Sequence, residues 1–206
     1  MNRQLLDLFA AVNTNAGATW SATTTGSAVF WGAQLETGSS ATAFQNIGTD
    51  KMLVVAGVTK NSDAATGIVA ELSANAASNA GTFVSSAPNG AAANYGLYSR
   101  GSVAPASAAN ASSFAAPITN VYTGIGDIGG DLARVRVNGA LSATDTSDQG
   151  TGNYGNYPLF IGRRNNASLP LNGNIYSLVI AGAAYSAGQI SSTESWVAAK
   201  TPLGTI

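Results

Sequence analysis

Residues 132–141 read LARVRVNGAL, and few folds can accept that run. Arg134 and Arg136 alternate with Val135 and Val137. An extended chain therefore turns a charged face one way and an apolar face the other, the two-residue period of a half-buried strand. Asn138-Gly139 follows at once. That pair suits the two left-handed positions of a tight hairpin turn, so the strand must fold back on an antiparallel neighbour.

The same punctuation recurs along the chain. Residues 52–59 (MLVVAGVT) and 67–73 (GIVAELS) are β-branched runs separated by the polar turn segment KNSDAAT. Residues 81–86 and 95–100 (YGLYSR) predict further strands, joined by APNGAAAN, and 118–125 (ITNVYTGI) predicts another. Residues 101–116 are mostly Ser, Ala and Asn and read as a long surface loop or a ragged edge. Residues 158–162 (PLFIG) and 175–181 (IYSLVIA) are the last strand-like runs, with Asn172-Gly173 between them as a turn. Ser186 is placed to cap a helix over 187–199, with Ile190, Trp196, Val197 and Ala198 toward the sheets and Pro202 as its stop. Short strands at regular spacing with one terminal helix predict an all-β, two-sheet antiparallel sandwich.

Residues 133–141 and 156–200 together resemble the C-terminal half of a concanavalin A-like lectin/glucanase (LamG-like) sandwich, in the version found in structural proteins of tailed bacteriophages, whether tail, fibre or capsid-associated. The resemblance spans roughly residues 50–200. It implies a jelly-roll sandwich with a short C-terminal helix. A second echo lies in residues 30–45, FWGAQLETGSSATAFQ, which resembles the closing phrase of a jelly-roll module of phage tail and fibre proteins. Too little chain precedes it for a complete module of that kind. Residues 1–48 are therefore expected to be an attachment arm of a short helix plus a strand, or strands lent to the main sandwich, and 49–206 the sandwich itself.

The arm carries Leu5, Leu8, Phe9 and Val12 at helical spacing, then Trp20, and then Val29, Trp31, Ala33 and Leu35 at strand spacing. Leu5, Leu8, Phe9, Trp20 and Trp31 are the candidates for attachment to a virion.

Composition excludes several function classes. Nine Lys and Arg against ten Asp and Glu leave a net charge of -1, with no footprint for nucleic acid or an anionic membrane. Only 9% of residues are charged, against roughly 25% in an average globular protein. A surface of Ala, Ser, Thr, Asn and Gly suits a chain packed against neighbours in an assembly; a low-charge source proteome explains it equally well. With no Cys and no His, Ser-His-Asp and Cys-His catalysis are excluded, as are the usual zinc, haem and iron–sulfur ligand sets. No apolar run approaches the ~18 residues of a membrane span. The opening MNRQLLDLFAAV, interrupted by Asp7, is too short and too acidic for a secretory signal.

Glucanases of this fold use two carboxylates projecting from one strand face. Here Glu71 stands alone in GIVAELS, and Glu36 is likewise single, so no enzyme is expected. No cofactor is expected either. Calcium would have to use the pairs Asp127/Asp131 or Asp145/Asp148; neither completes an oxygen-ligand loop, and both read more simply as acceptors within turns.

Glycan binding needs aromatic rings beside planar amides. The loop GTGNYGNYP supplies Asn153, Tyr154, Asn156 and Tyr157, and NYGLYSR supplies Asn94, Tyr95, Tyr98 and Arg100. The competing reading has Tyr154 and Tyr157 covering sandwich edges while the asparagines form turns. Arg163 and Arg164 of the IGRR segment look structural, tying a strand end to a loop. The functional expectation is a virion structural protein, assembled in a host cytoplasm, displaying a lectin-like sandwich as a fibre- or tail-associated module that contacts host surface glycans. The alternative is a capsid decoration or head-fibre protein with an assembly or surface role and no specific ligand. Expected partners are other virion proteins and further copies of the chain, a trimer being the symmetry that suits a fibre, with no nucleic acid and no membrane.

Overall fold

The computed structural model describes residues 49–74, 79–103, 107–165 and 168–206. The attachment candidates Leu5, Leu8, Phe9, Trp20 and Trp31 lie outside the described residues. Ten strands and one helix follow in order: β1 (Lys51–Lys60), β2 (Ile68–Leu72), β3 (Thr82–Ser86), β4 (Asn94–Arg100), β5 (Ser107–Ser112), β6 (Ile118–Asp127), β7 (Leu132–Val137), β8 (Ala140–Asp145), β9 (Leu159–Ile161), β10 (Gly173–Ala181) and α1 (Ala187–Ala198). The first sheet is ordered β10-β1-β6-β7-β8 and the second β5-β4-β3-β2-β9, with every pairing antiparallel.

The continuous apolar run of β1 has a direct cause. Met52, Val54, Ala56 and Val58 point between the sheets into the main core, while Leu53 and Val55 point outward beneath α1. Both faces of this strand are buried, so its sequence does not alternate. On β7 the alternation is complete: Ala133, Val135 and Val137 are buried while Arg134 and Arg136 face outward. Val137 pairs with Ala140, and Asn138 and Gly139 have φ of 49° and 76°, the two left-handed positions of a type I′ turn.

Of the two readings of segment 101–116, a surface loop or a ragged edge, the structure agrees with the edge. Its residues 107–112 form β5, the outer strand of the second sheet, with Ala109 and Ala111 buried inward. SAANAS has weak strand propensity; its pairing with the more apolar β4 decides the outcome. Asn172-Gly173 does not close a hairpin either. β9 pairs with β2 in the second sheet and β10 with β1 in the first, so the connection crosses between layers and Gly173 already pairs with Lys60.

The helix begins as expected. Ser186 Oγ accepts from Gln189 N at 3.3 Å and the Gln189 side chain accepts from Ser186 N at 2.9 Å, a complete capping box. Val197 and Ala198 pack on Leu53, Val55 and Val121, with Ile190 partly buried beside them. Trp196 is a correction: it is 54% exposed, not packed on the sandwich. The buried position two residues nearer the start of the helix is Glu194, whose carboxylate takes two hydrogen bonds from Arg136, Nε at 2.7 Å and a terminal nitrogen at 3.0 Å. Bidentate pairing offsets the cost of burying that charge and pins α1 to β7.

Candidate functional site

The period of two along β4 sorts the aromatic residues proposed for a glycan site. Tyr95, Leu97 and Ser99 point into the core; Gly96, Tyr98 and Arg100 share the opposite, outer face. Tyr95 is fully buried. Its ring lies 5.6 Å from that of Phe114 and 5.9 Å from that of Tyr122, and its hydroxyl accepts from Asn120 Nδ2 at 3.1 Å. Burial pushes its phenol up to about 12. It is a core residue, and the expectation of a sugar-stacking role for it is corrected.

Tyr154 is corrected on the same ground. It is 7% exposed and meets Phe83 edge to face at 5.9 Å. Its hydroxyl lies 2.6 Å from Ser99 Oγ, which also donates to Gln149 Oε1 at 2.5 Å. Gln149 is itself fully buried and donates to the Asp127 carbonyl at 3.2 Å. The segment around 149–154 therefore plugs one end of the sandwich through a hydrogen-bonded network. Burial raises the Tyr154 pKa strongly.

What remains of the proposed set faces outward, and most of it gathers on the second sheet. Along the outer side of β4 run Asn94, Gly96, Tyr98 and Arg100, about 20 Å of chain at the usual rise per residue. At the Asn94 end three amides interlock. Asn89 N donates to Asn94 Oδ1 at 2.7 Å, and Asn89 Nδ2 donates to Asn110 Oδ1 at 2.7 Å. They close over Gly96, where an added Cβ would come within 2.5 Å of Asn89 and 3.0 Å of Asn110.

In the middle of this face Tyr98 pairs across to Val84 and Arg100 to Thr82. The short side chains of Thr82, Val84 and Ser86 are buried, while Tyr98, Arg100 and Phe160 are half-buried. At the Arg100 end the loop from 153 to 157 joins the rim. Asn153 and Asn156 are exposed, and half-buried Tyr157 donates to the Ala80 carbonyl at 2.9 Å. Gly155 N donates to the Gly81 carbonyl at 2.8 Å, which fixes this loop at the entrance to β3.

Glu71, opposite Val84 and Phe160 on the same face, is fully buried. Arg164 Nε donates to both of its oxygens at 3.1 and 2.8 Å, and Ser73 Oγ donates to it at 2.6 Å. The arginine of the IGRR segment thus ties the end of β9 to β2. Glu71 is the one carboxylate on this face among the described residues, and it is already occupied. Three of these aspartates act within turns: Asp127 Oδ1 accepts from Gly130 N, Asp145 Oδ1 from Ser147 N and Asp148 Oδ1 from Gly150 N, while Asp131 Oδ1 accepts from the distant Gln149 N, all at 2.7 to 2.8 Å. Among the described residues no three Asp or Glu side chains cluster as a metal site, and no helix is long and apolar enough to cross a membrane.

No family model matches the chain, and no curated protein matches it in sequence. Solved structures do match in shape. The carbohydrate-binding module CBM40 of the Ruminococcus gnavus IT-sialidase, solved with alpha2,3 sialyllactose, superposes with a TM-score of 0.55 at 14% identity, over 71% of this chain and 83% of that one. A heptameric SAP-like pentraxin from Limulus polyphemus superposes with a TM-score of 0.55 at 9% identity, over 77% of this chain and 80% of that one. At such identities the likeness concerns the fold alone: this chain is a lectin-like jelly-roll sandwich of two five-stranded antiparallel sheets with one short helix.

Proposed function

We propose that this chain is a non-catalytic glycan-binding module displayed on the virion of a tailed bacteriophage, and that the outer face of the second sheet is its binding surface. One observation carries the reading. Tyr98 and Arg100 stand between an amide cluster, exposed Asn89 and Asn110 with half-buried Asn94, and the rim formed by Asn153, Asn156 and Tyr157. Neutral sugars are held by aromatic rings against their apolar faces and by amides or guanidinium groups on their hydroxyls, and this strip offers both. The sialidase module of similar fold was solved with a sialylated sugar, which supports binding as a use of such a sandwich. Binding without hydrolysis fits the lone, salt-bridged Glu71, because a retaining glycosidase needs a second carboxylate about 5 Å away.

The phage setting rests on the resemblance of residues 30–45, 133–141 and 156–200 to phage structural modules. In that setting residues 1–48 attach the chain to other virion proteins through Leu5, Leu8, Phe9, Trp20 and Trp31. Copies of the chain associate, a trimer being the symmetry expected of a fibre. A second reading, a capsid decoration or head-fibre protein with no specific ligand, is favoured by one finding: Tyr95 and Tyr154 serve the core.

The test is a glycan array carrying bacterial surface polysaccharides, probed with the full chain. Defined oligosaccharide hits that weaken in a Tyr98→Ala, Tyr157→Ala double variant support the module. A blank array, together with antibody labelling of the head of intact particles, would replace it with the decoration reading.

A further inference from the structure

The outer face of the first sheet carries a groove of about 210 Å³ beside the start of α1. Leu53 and Ile125 form an apolar floor, Tyr185 and Ile190 line it from the helix side, and Arg134 reaches in from β7. The charges around it are unevenly matched. Lys51 Nζ lies 2.7 Å from Asp50 Oδ2 and 2.6 Å from Asp127 Oδ1, so these three groups neutralise one another to a net single negative charge. The hydrogen bonds that Lys51 donates to Asp127 and Asp50 raise its pKa and keep it charged. Arg136, on the same side of β7, is taken up by Glu194.

Arg134 differs. It is half-buried, lines the groove and forms no ion pair among the described residues. A guanidinium that lines a groove without a counter-charge is the group a bound anion would match through its terminal nitrogens.

Three further features narrow the acceptor. The groove is lined by Ala183, Ala184 and Tyr185 just ahead of α1, and the first turn of that 12-residue helix holds no acidic residue. The positive end of its dipole therefore meets the neutral capping box of Ser186 and Gln189 and no charged side chain of that turn. Asp50 and Asp127 lie close by, which disfavours a dianion such as phosphate and leaves a single negative charge as the better match. The volume is below the roughly 300–1,000 Å³ of a drug-sized site, so one compact ring is the natural occupant.

We infer that this groove is a second binding site, for a small ring-bearing monocarboxylate, with Arg134 holding the carboxylate and Tyr185, Leu53 and Ile125 packing the ring. Guanidinium and carboxylate match in geometry and charge. The site lies on the outer face opposite the proposed glycan strip, so either can fail without the other.

Saturation-transfer NMR on the full chain with sodium D-glucuronate tests the inference, with D-glucose and sodium acetate as comparators. Glucuronate resonances should saturate, glucose should not compete, and acetate should compete only at much higher concentration. Arg134→Met keeps the aliphatic stem and should weaken glucuronate at least tenfold with an unchanged melting temperature. Should that variant fold poorly, Tyr185→Ala provides the second arm: it should weaken glucuronate while leaving acetate competition at Arg134 intact. Absence of glucuronate binding to the wild type, equal binding by a folded Arg134→Met chain, or acetate competing as strongly as glucuronate would overturn the proposal.

Discussion

Arg134 and Arg136 occupy equivalent positions on β7 and have opposite fates, because one meets Glu194 and the other meets a groove. Removing one member of a buried ion pair strands the other, so Glu194→Ala should cost roughly 2–4 kcal/mol, measured by urea denaturation. The exposed Trp196 gives the contrasting case. Trp196→Ser should change stability by less than about 0.5 kcal/mol, whereas Val197→Ala, beneath the same helix, should cost about 1 kcal/mol or more. The buried tyrosines set a pH limit. The Tyr95 pKa stands at about 12, above its ordinary 10.0, and Tyr122 and Tyr154 are also raised by burial. A raised phenol favours the fold fully below pH 10, where both states are protonated. Above pH 10 the unfolded chain loses its protons first, so stability falls as pH climbs from 10 toward 12. Melting temperature should therefore drop over that window. Absorbance near 295 nm should show these tyrosines ionising only with unfolding. A flat melting temperature to pH 12 would contradict the burial.

At the scale of elements, much was legible and the failures share a cause. Residues 132–137 announced both faces of β7 because one side meets the core and the other meets solvent and α1. The Asn138-Gly139 turn was legible from its own two residues, although Asn138 is also tied to β6 through Val121 N and Asn120, and Gly139→Ala, at φ 76°, should cost about 1 kcal/mol and fray the β7–β8 hairpin. Strand β5 was ambiguous between loop and sheet edge because SAANAS gains its conformation from β4. The segment joining β9 to β10 was misleading because an Asn-Gly pair reports a local bend, not which sheet the next strand enters. Helical spacing also misplaced Trp196. The buried stripe is Glu194, Val197 and Ala198, and an acid in such a stripe is recognisable only once its arginine is seen opposite. The capping box at Ser186, by contrast, is local, and Ser186→Ala should cost about 1 kcal/mol.

For the whole molecule, the two layers separate structural work from candidate binding work. The tyrosines that fill the space between the sheets, Tyr95, Tyr122 and Tyr154, each spend their hydroxyl on an internal partner. Composition alone could not tell Tyr95 from Tyr98, since both sit in NYGLYSR; the parity of strand positions does so once β4 is placed between β3 and β5. The outer face of the second sheet then holds what the sequence offered for sugar recognition, apart from those core residues. The direct measurement is calorimetric titration of an oligosaccharide that the array identifies, against two variants of the full chain. Loss of a stacking ring at Tyr98→Ala should weaken binding roughly tenfold, about 1.4 kcal/mol, without lowering the melting temperature. Tyr154→Phe, which removes only a buried hydroxyl, should lower the melting temperature and leave the affinity unchanged. Affinity lost at Tyr154→Phe and kept at Tyr98→Ala would contradict the placement of the site on the outer face.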